Sequence, residues 1–338
     1  MILYRKGASL RVRRWAAPEG PFWCATAIAP YGAKRATPIA IDYLGLRATG
    51  VGEKLEVAVC DDVRDELERL RVLAAPVLVD AAEQAEVVFR RGGDALAYCD
   101  EQELAALQLV STRGALPLQE HATIAIAAWP LELAPLEELF RDANGRRWGV
   151  AVPVLFPVTT ELAPLAALAD AAQAHGAAFF AAIGIDVEPT AKQALAQSLN
   201  LDTDDDRYAM LFHAAIEPVH LATERHIAAL AHERGMADFI VPPRWEERSN
   251  WNAAVLLTLT ASRMIAMELD LDLAGRIARS ARAIAELDKP LLRIAESASL
   301  SIIGGLDETS VEALTSWIGG EPARFCAFVD EQWRMKRA

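Results

Sequence analysis

Short apolar runs alternate with alanine-rich amphipathic stretches through the middle of this chain, and that alternation restricts its folds more than any other feature. The runs are Thr123–Trp129, Val150–Val158, Ala177–Val187 and Asp238–Val241. Each has the length of a strand, and each is followed or preceded by a stretch with helical spacing. Repeated β-α units of this kind build a parallel sheet. Leu55–Cys60 and Pro76–Asp80 read as further strands, and Trp23–Ala29, Ile39–Leu46 and Glu86–Phe89 as candidates. Asp61–Leu73, Asp100–Leu109, Leu131–Asn144 and Glu161–His175 read as helices, the last two stopped at Asn144-Gly145 and Gly176. Six to nine candidate strands in 338 residues fit an α/β fold. The expected form is a full or partial TIM-like (β/α) barrel, with an open doubly wound sheet as the alternative.

After Pro243 the character changes. Asn250–Asp270, Leu273–Leu287, Pro290–Ile303, Ser310–Ile318 and Glu321–Arg337 carry helical spacing. The expected organisation is therefore a barrel-like domain over 1–243 and a helical C-terminal subdomain over 244–338. Residues 1–52 read as an irregular basic segment.

The whole chain carries a net charge of −13, which disfavours a nucleic-acid surface. The first 50 residues run against this balance: Arg5, Lys6, Arg11, Arg13, Arg14, Lys34, Arg35 and Arg47 face only Glu19 and Asp42. This segment reads either as an anion or acidic-partner site or as a strip docked on the acidic body. No apolar run approaches the ~18 residues of a membrane span. Met1–Trp15 lacks the apolar core of a signal peptide, so a cytoplasmic protein without membrane contact is expected.

Three constellations carry chemistry. The first is Pro242-Pro243-Arg244-Trp245-Glu246-Glu247-Arg248-Ser249-Asn250-Trp251-Asn252, placed by the pattern after a strand. Arg244 and Arg248 can fork onto a carboxylate or phosphate, Trp245 offers a stacking face, and Asn250 adds a polar contact. Glu246 and Glu247 are candidates for acid–base catalysis. The competing reading is a domain junction in which Ser249 or Asn250 caps the next helix. The second is His213, Glu217, His220 and Glu224, spaced 4, 3 and 4. On one continuous helix they form a single stripe suited to a divalent metal, but Pro218 interrupts or begins such a helix. The third is the cysteines. Cys24, Cys60 and Cys99 lie at ends of candidate strands, where thiolates can hold an iron–sulfur cluster, or are buried structural thiols. There is no C-x-x-C, no P-loop and no G-x-G-x-x-G.

The stretch from Glu86 through Phe89, Arg90, Arg91, Gly92, Gly93 and Asp94 to Leu104 resembles the second strand and following turn of radical S-adenosylmethionine enzymes. Val152–Ala214 is similar to the late barrel of their spore photoproduct lyase-like branch: a Pro-bounded strand, a helix ending in His175-Gly176, a strand, then an Asp-rich link to Tyr208. The resemblance implies a barrel in which Gly92, Gly93 and Asp94 hold the amino group of S-adenosylmethionine. The family's C-x-x-x-C-x-x-C loop is absent and Asp94 stands where Glu is usual. The resemblance therefore implies a degenerate member, either a partner of an active enzyme or a barrel reused for another reaction.

The function expected from these readings is an enzyme acting on a small anionic metabolite. The alternatives are a non-catalytic accessory protein that meets its partner through the C-terminal helices, and a His/Glu metal-dependent enzyme.

Overall fold

A computed structural model describes residues 2–6, 9–15, 23–28, 37–42, 47–50, 57–60, 77–80, 106–110, 123–128, 131–154, 161–187, 206, 217–242, 244–285, 287 and 289–335. The chain forms two compact units, Met1–Val63 with Val77–Pro243, which carries the sheets, and Arg64–Pro76 with Arg244–Ala338, whose described residues are helical.

In the first unit, β1 (Ile2–Lys6), β2 (Ser9–Trp15) and β6 (Val57–Cys60) form a three-stranded antiparallel sheet in the order β1-β2-β6. The second sheet contains β3 (Trp23–Ile28), β4 (Thr37–Asp42), β5 (Arg47–Gly50), β7 (Val77–Asp80), β8 (Ala106–Val110), β9 (Thr123–Ala127), β10 (Arg147–Val154) and β11 (Phe179–Val187). Its order is β3-β4-β5-β11-β10-β9-β8-β7. The ladders from β5 through β11 to β7 are parallel, and those joining β3, β4 and β5 are antiparallel.

This topology overturns the barrel. Closure requires a ladder between the first and last strands, and among the described residues β3 and β7 remain the two edges of an open, mixed sheet. The pattern over 55–60 does form a strand, β6, but it pairs with β2 in the other sheet. Three further differences have local causes. Residues 1–52, read as irregular with two candidate strands, hold five; the candidates at 23–29 and 39–46 correspond to β3 and β4. Leu10 and Val12 alternate with Arg11 and Arg13 in β2, a period-two signal masked by the density of arginine. The stretch Asp100–Leu109, read as a helix, contains β8, so its short apolar run obeys sheet pairing rather than helical spacing. Asp238–Val241 forms no strand. One parallel bridge, Phe179 to Ala237, replaces it. The helix expected over 61–73 and the strand over 86–89 lie outside the described residues.

Helices α1 (Leu133–Ala143), α2 (Leu162–Ala174) and α3 (Glu217–Glu233) share one core with β9–β11. Alternate residues of the strands supply its bulk: Ile124, Ile126, Val150, Val152, Val154 and Phe180 meet Leu136, Phe140, Leu165, Leu168, Ile227 and Leu230. Phe140 stacks on Trp148 with centroids 4.9 Å apart, worth about 0.5–1.5 kcal/mol beyond area burial. The opposite pleat positions of these strands are small: Ala125, Ala127, Gly149, Ala151 and Ala181, all buried or within a buried strand. Arg234 ties α3 to α2, with Nε donating to Asp170 Oδ1 at 2.8 Å.

Phe179 is the exception on that small face, and it sits opposite Gly149 in the β10–β11 register. Its ring occupies the place of the missing side chain: a Cβ on Gly149 would overlap the ring carbons. Gly149→Ala is therefore expected to cost about 1–3 kcal/mol through overpacking, read as a lowered midpoint in urea. An unchanged midpoint would show that the ring moves aside freely.

The second unit is organised by α4 (Asn250–Ala266), which packs along α5 (Leu271–Ala285) and α8 (Arg324–Met335); α6 (Leu291–Ser297), a 3-10 turn (Leu300–Ile302) and α7 (Glu308–Ile318) complete it. Arg263 on α4 pairs with Asp330 on α8 at 2.7 Å. Asp307 caps α7, accepting from the backbone N–H of Thr309 and Ser310. Ser280 on α5 donates to Asp307 Oδ2 at 2.9 Å and accepts from the Asp307 N–H. Burial pushes the Asp307 carboxyl up, but the hydroxyls of Ser310 and Ser280 and the two N–H donors outweigh it and hold the group below the ordinary 3.8. A depressed folded value stabilises above the unfolded value and is lost as pH falls through the folded one. Asp307→Asn should therefore lower stability at pH 7 and flatten its dependence on pH below about 4. An unchanged acid limb in urea melts of the variant would remove Asp307 from the pH response.

Candidate functional site

Of the sequence-derived candidates, the stretch after Pro243 is described in most detail. Arg244–Glu247 form a turn closed by the Glu247 N–H donating to the Arg244 carbonyl at 2.9 Å. Arg244 adopts a left-handed backbone, φ 53°, which costs a non-glycine residue roughly 1–2 kcal/mol. The side chain of Asn252, 1% exposed, secures the turn. Its Nδ2 donates to the Arg244 carbonyl at 2.7 Å and to the Glu247 carbonyl at 2.8 Å. Ser249 caps α4 by accepting from the Asn252 N–H.

The residues of the turn then diverge. Arg244, Glu246 and Glu247 are exposed. Arg244 Nε lies 3.9 Å from Glu247 Oε1, a loose surface pair. Trp245 is half-buried. Arg248 turns toward the end of α7, where its guanidinium lies over the Trp317 ring, 5.9 Å from the centroid. Its Nε is buried and has no hydrogen-bond partner. Asn250 is 1% exposed, and both ends of its amide are used internally. Nδ2 donates to the Lys289 carbonyl at 2.9 Å, and Oδ1 accepts from the Leu291 N–H. It is a clamp within the helical unit. The turn also follows no strand, because only the Ala237 bridge precedes it.

Helix α3 begins at Glu217, so Pro218 falls in its first turn, where its missing N–H has no helical partner to lose. Glu217, His220 and Glu224 share this helix, and His213 lies outside the described residues. Among the described residues no group of three His, Cys, Asp or Glu is gathered for a metal. Cys24 sits in β3 and Cys60 in β6, in different sheets, while Cys99 lies outside the described residues. Cys326 is buried on α8, and burial pushes its thiol up, an inert setting. Gly92, Gly93 and Asp94 lie outside the described residues. Among those described, no helix is long and apolar enough to cross a membrane.

Two residues of this region had no weight in the sequence reading. Asn252 stood in the stretch only as its last member, and Trp317 only as part of a helix. The Ser249-x-x-Asn252 spacing marks a helix start, but nothing in the chain order links Trp317 to an arginine 69 positions earlier. No family model matches this chain, and neither the curated proteins nor the solved structures contain a match to it.

Arg244→Gly tests the geometry of the turn. Glycine accepts the left-handed backbone without penalty, so the variant should be more stable by about 0.5–1 kcal/mol in urea melts. A loss of stability would mean that the side chain of Arg244 contributes more than its backbone costs.

Proposed function

We propose that this protein binds a small anionic metabolite at the Arg244–Arg248 turn, with Arg248 as the principal anchor. The observation that carries this reading is the state of the Arg248 guanidinium. It is held on the face of Trp317, its Nε is buried and unbonded, and among the described residues no carboxylate pairs with it. A half-buried guanidinium can take a carboxylate or phosphate oxygen by charge-assisted hydrogen bonds.

Arg244 adds a second positive charge at the exposed edge of the turn, and Trp245 an aromatic surface. Glu246 and Glu247 are the carboxylates assigned to proton transfer if the bound anion is turned over. The assignment supports recognition of a compact anion and takes the reaction no further.

Titration calorimetry with inorganic phosphate, succinate and citrate tests it. At least one should bind saturably at one site per chain. Arg248→Gln should weaken that binding by about tenfold or more, the loss of one charge-assisted fork, with the melting temperature unchanged. Absence of saturable binding by all three, or equal binding by the variant, would overturn the reading.

A further inference from the structure

The helical unit contains a concavity that shares no residue with the Arg248 turn. The end of α5, the connection to α6 and the segment after the 3-10 turn enclose a cavity of about 510 Å³. This lies within the roughly 300–1,000 Å³ typical of small-molecule sites. Leu287, Ile294 and Ile303 give it apolar walls, and Lys289 and Arg293 stand at its edge. Gly304 leaves one wall open: no atom lies within 4 Å of where its Cβ would be.

Both sides of the cavity are fixed from the interior. The buried Asn250 amide holds the Lys289 carbonyl and the Leu291 N–H. On the other side, Ser280 donates to Asp307 at 2.9 Å, and its hydroxyl lies 3.3 Å from the Gly305 carbonyl. A site shaped before its ligand arrives avoids much of the ordering cost of binding.

The charges at the edge are available. Among the described residues no acidic group pairs with the Lys289 ammonium. Arg293 pairs with Glu296 at 3.2 Å, with the two side chains 76% and 65% exposed. Such an exposed pair contributes about 0–1 kcal/mol and exchanges readily for another carboxylate. The hydroxyl of Ser297 is already given to the Arg293 and Ile294 carbonyls, and Leu287, Ile294 and Ile303 offer a ligand apolar contact. A phosphate or dicarboxylate, hydrated on all sides, would leave those walls uncovered. A neutral hydrocarbon would leave the two cations unused.

We propose that this cavity binds a monocarboxylate with a short apolar body, its carboxylate at Lys289 and Arg293 and its body along Leu287, Ile294 and Ile303. The assignment uses none of the residues of the Arg248 site and stands apart from it.

Titration calorimetry of the full chain with octanoate tests the proposal. Octanoate should bind saturably at one site per chain, and octan-1-ol, which has the body without the charge, about tenfold more weakly. The K289Q/R293Q variant, altered only at exposed positions, should lose about tenfold or more in octanoate affinity. Ser297→Trp, which fills the cavity, should abolish binding, and Arg248→Gln should leave it unchanged. The proposal is overturned by absence of saturable binding, by octanol binding as tightly as octanoate, or by an unaffected K289Q/R293Q variant. It is equally overturned if Arg248→Gln removes the binding, because octanoate would then belong to the turn.

Discussion

Two buried amides in the first turn of α4 hold two irregular segments of the helical unit in place. Asn252 gathers the carbonyls of Arg244 and Glu247, and Asn250 gathers the Lys289 carbonyl and the Leu291 N–H. Each is 1% exposed. Buried polar groups must be paired, and a partner lost from such a site costs the full desolvation of the group left behind. The amides therefore impose one conformation on two irregular segments that propensity alone would leave undefined. One segment presents Arg244, Trp245, Glu246, Glu247 and Arg248. The other presents Lys289 and the approach to the apolar cavity. The strain of the left-handed Arg244 is sustained by the same contacts, since the turn that requires it is closed by the Asn252 amide.

The sheet unit rests on a different constraint, the contrast between its two pleat faces. Bulky aliphatic and aromatic residues on one side of β9–β11 make a common core with α1, α2 and α3. Alanine and glycine fill the other. Phe179 lies against Gly149 on the small face, so the glycine is required by the ring and the ring is seated by the glycine. A parallel sheet buried on both faces reads as a continuous apolar run rather than an alternating one. This is why Thr123–Ala127 and Phe179–Val187 stand out in the sequence, whereas the two sides of each strand do not.

The candidate ligand sites share an electrostatic logic. Some cations of this acidic chain meet carboxylates, as Arg234 meets Asp170 and Arg263 meets Asp330. Arg248 and Lys289 have none among the described residues. What surrounds them differs: a tryptophan face and a polar turn for Arg248, aliphatic walls for Lys289. That contrast is the reason for assigning a compact hydrophilic anion to one and an amphiphilic carboxylate to the other.

The sequence by itself determined the local elements whose signals are local. Gly176 and Gly235 end α2 and α3 in a left-handed conformation, and Ser249 starts α4. The apolar runs mark β9, β10 and β11. Tertiary structure decided everything that depends on which element meets which. Strand order, and with it the open mixed sheet in place of a barrel, follows from ladder partners far apart in the chain, such as β5 with β11. The short run Ala106–Val110 took its strand conformation from β7 and β9 on either side. Trp317 beneath Arg248, and Asn250 beneath Lys289, are likewise pairings across long separations. Periodicity reports which face of an element is apolar, but carries no information about the partner that covers it.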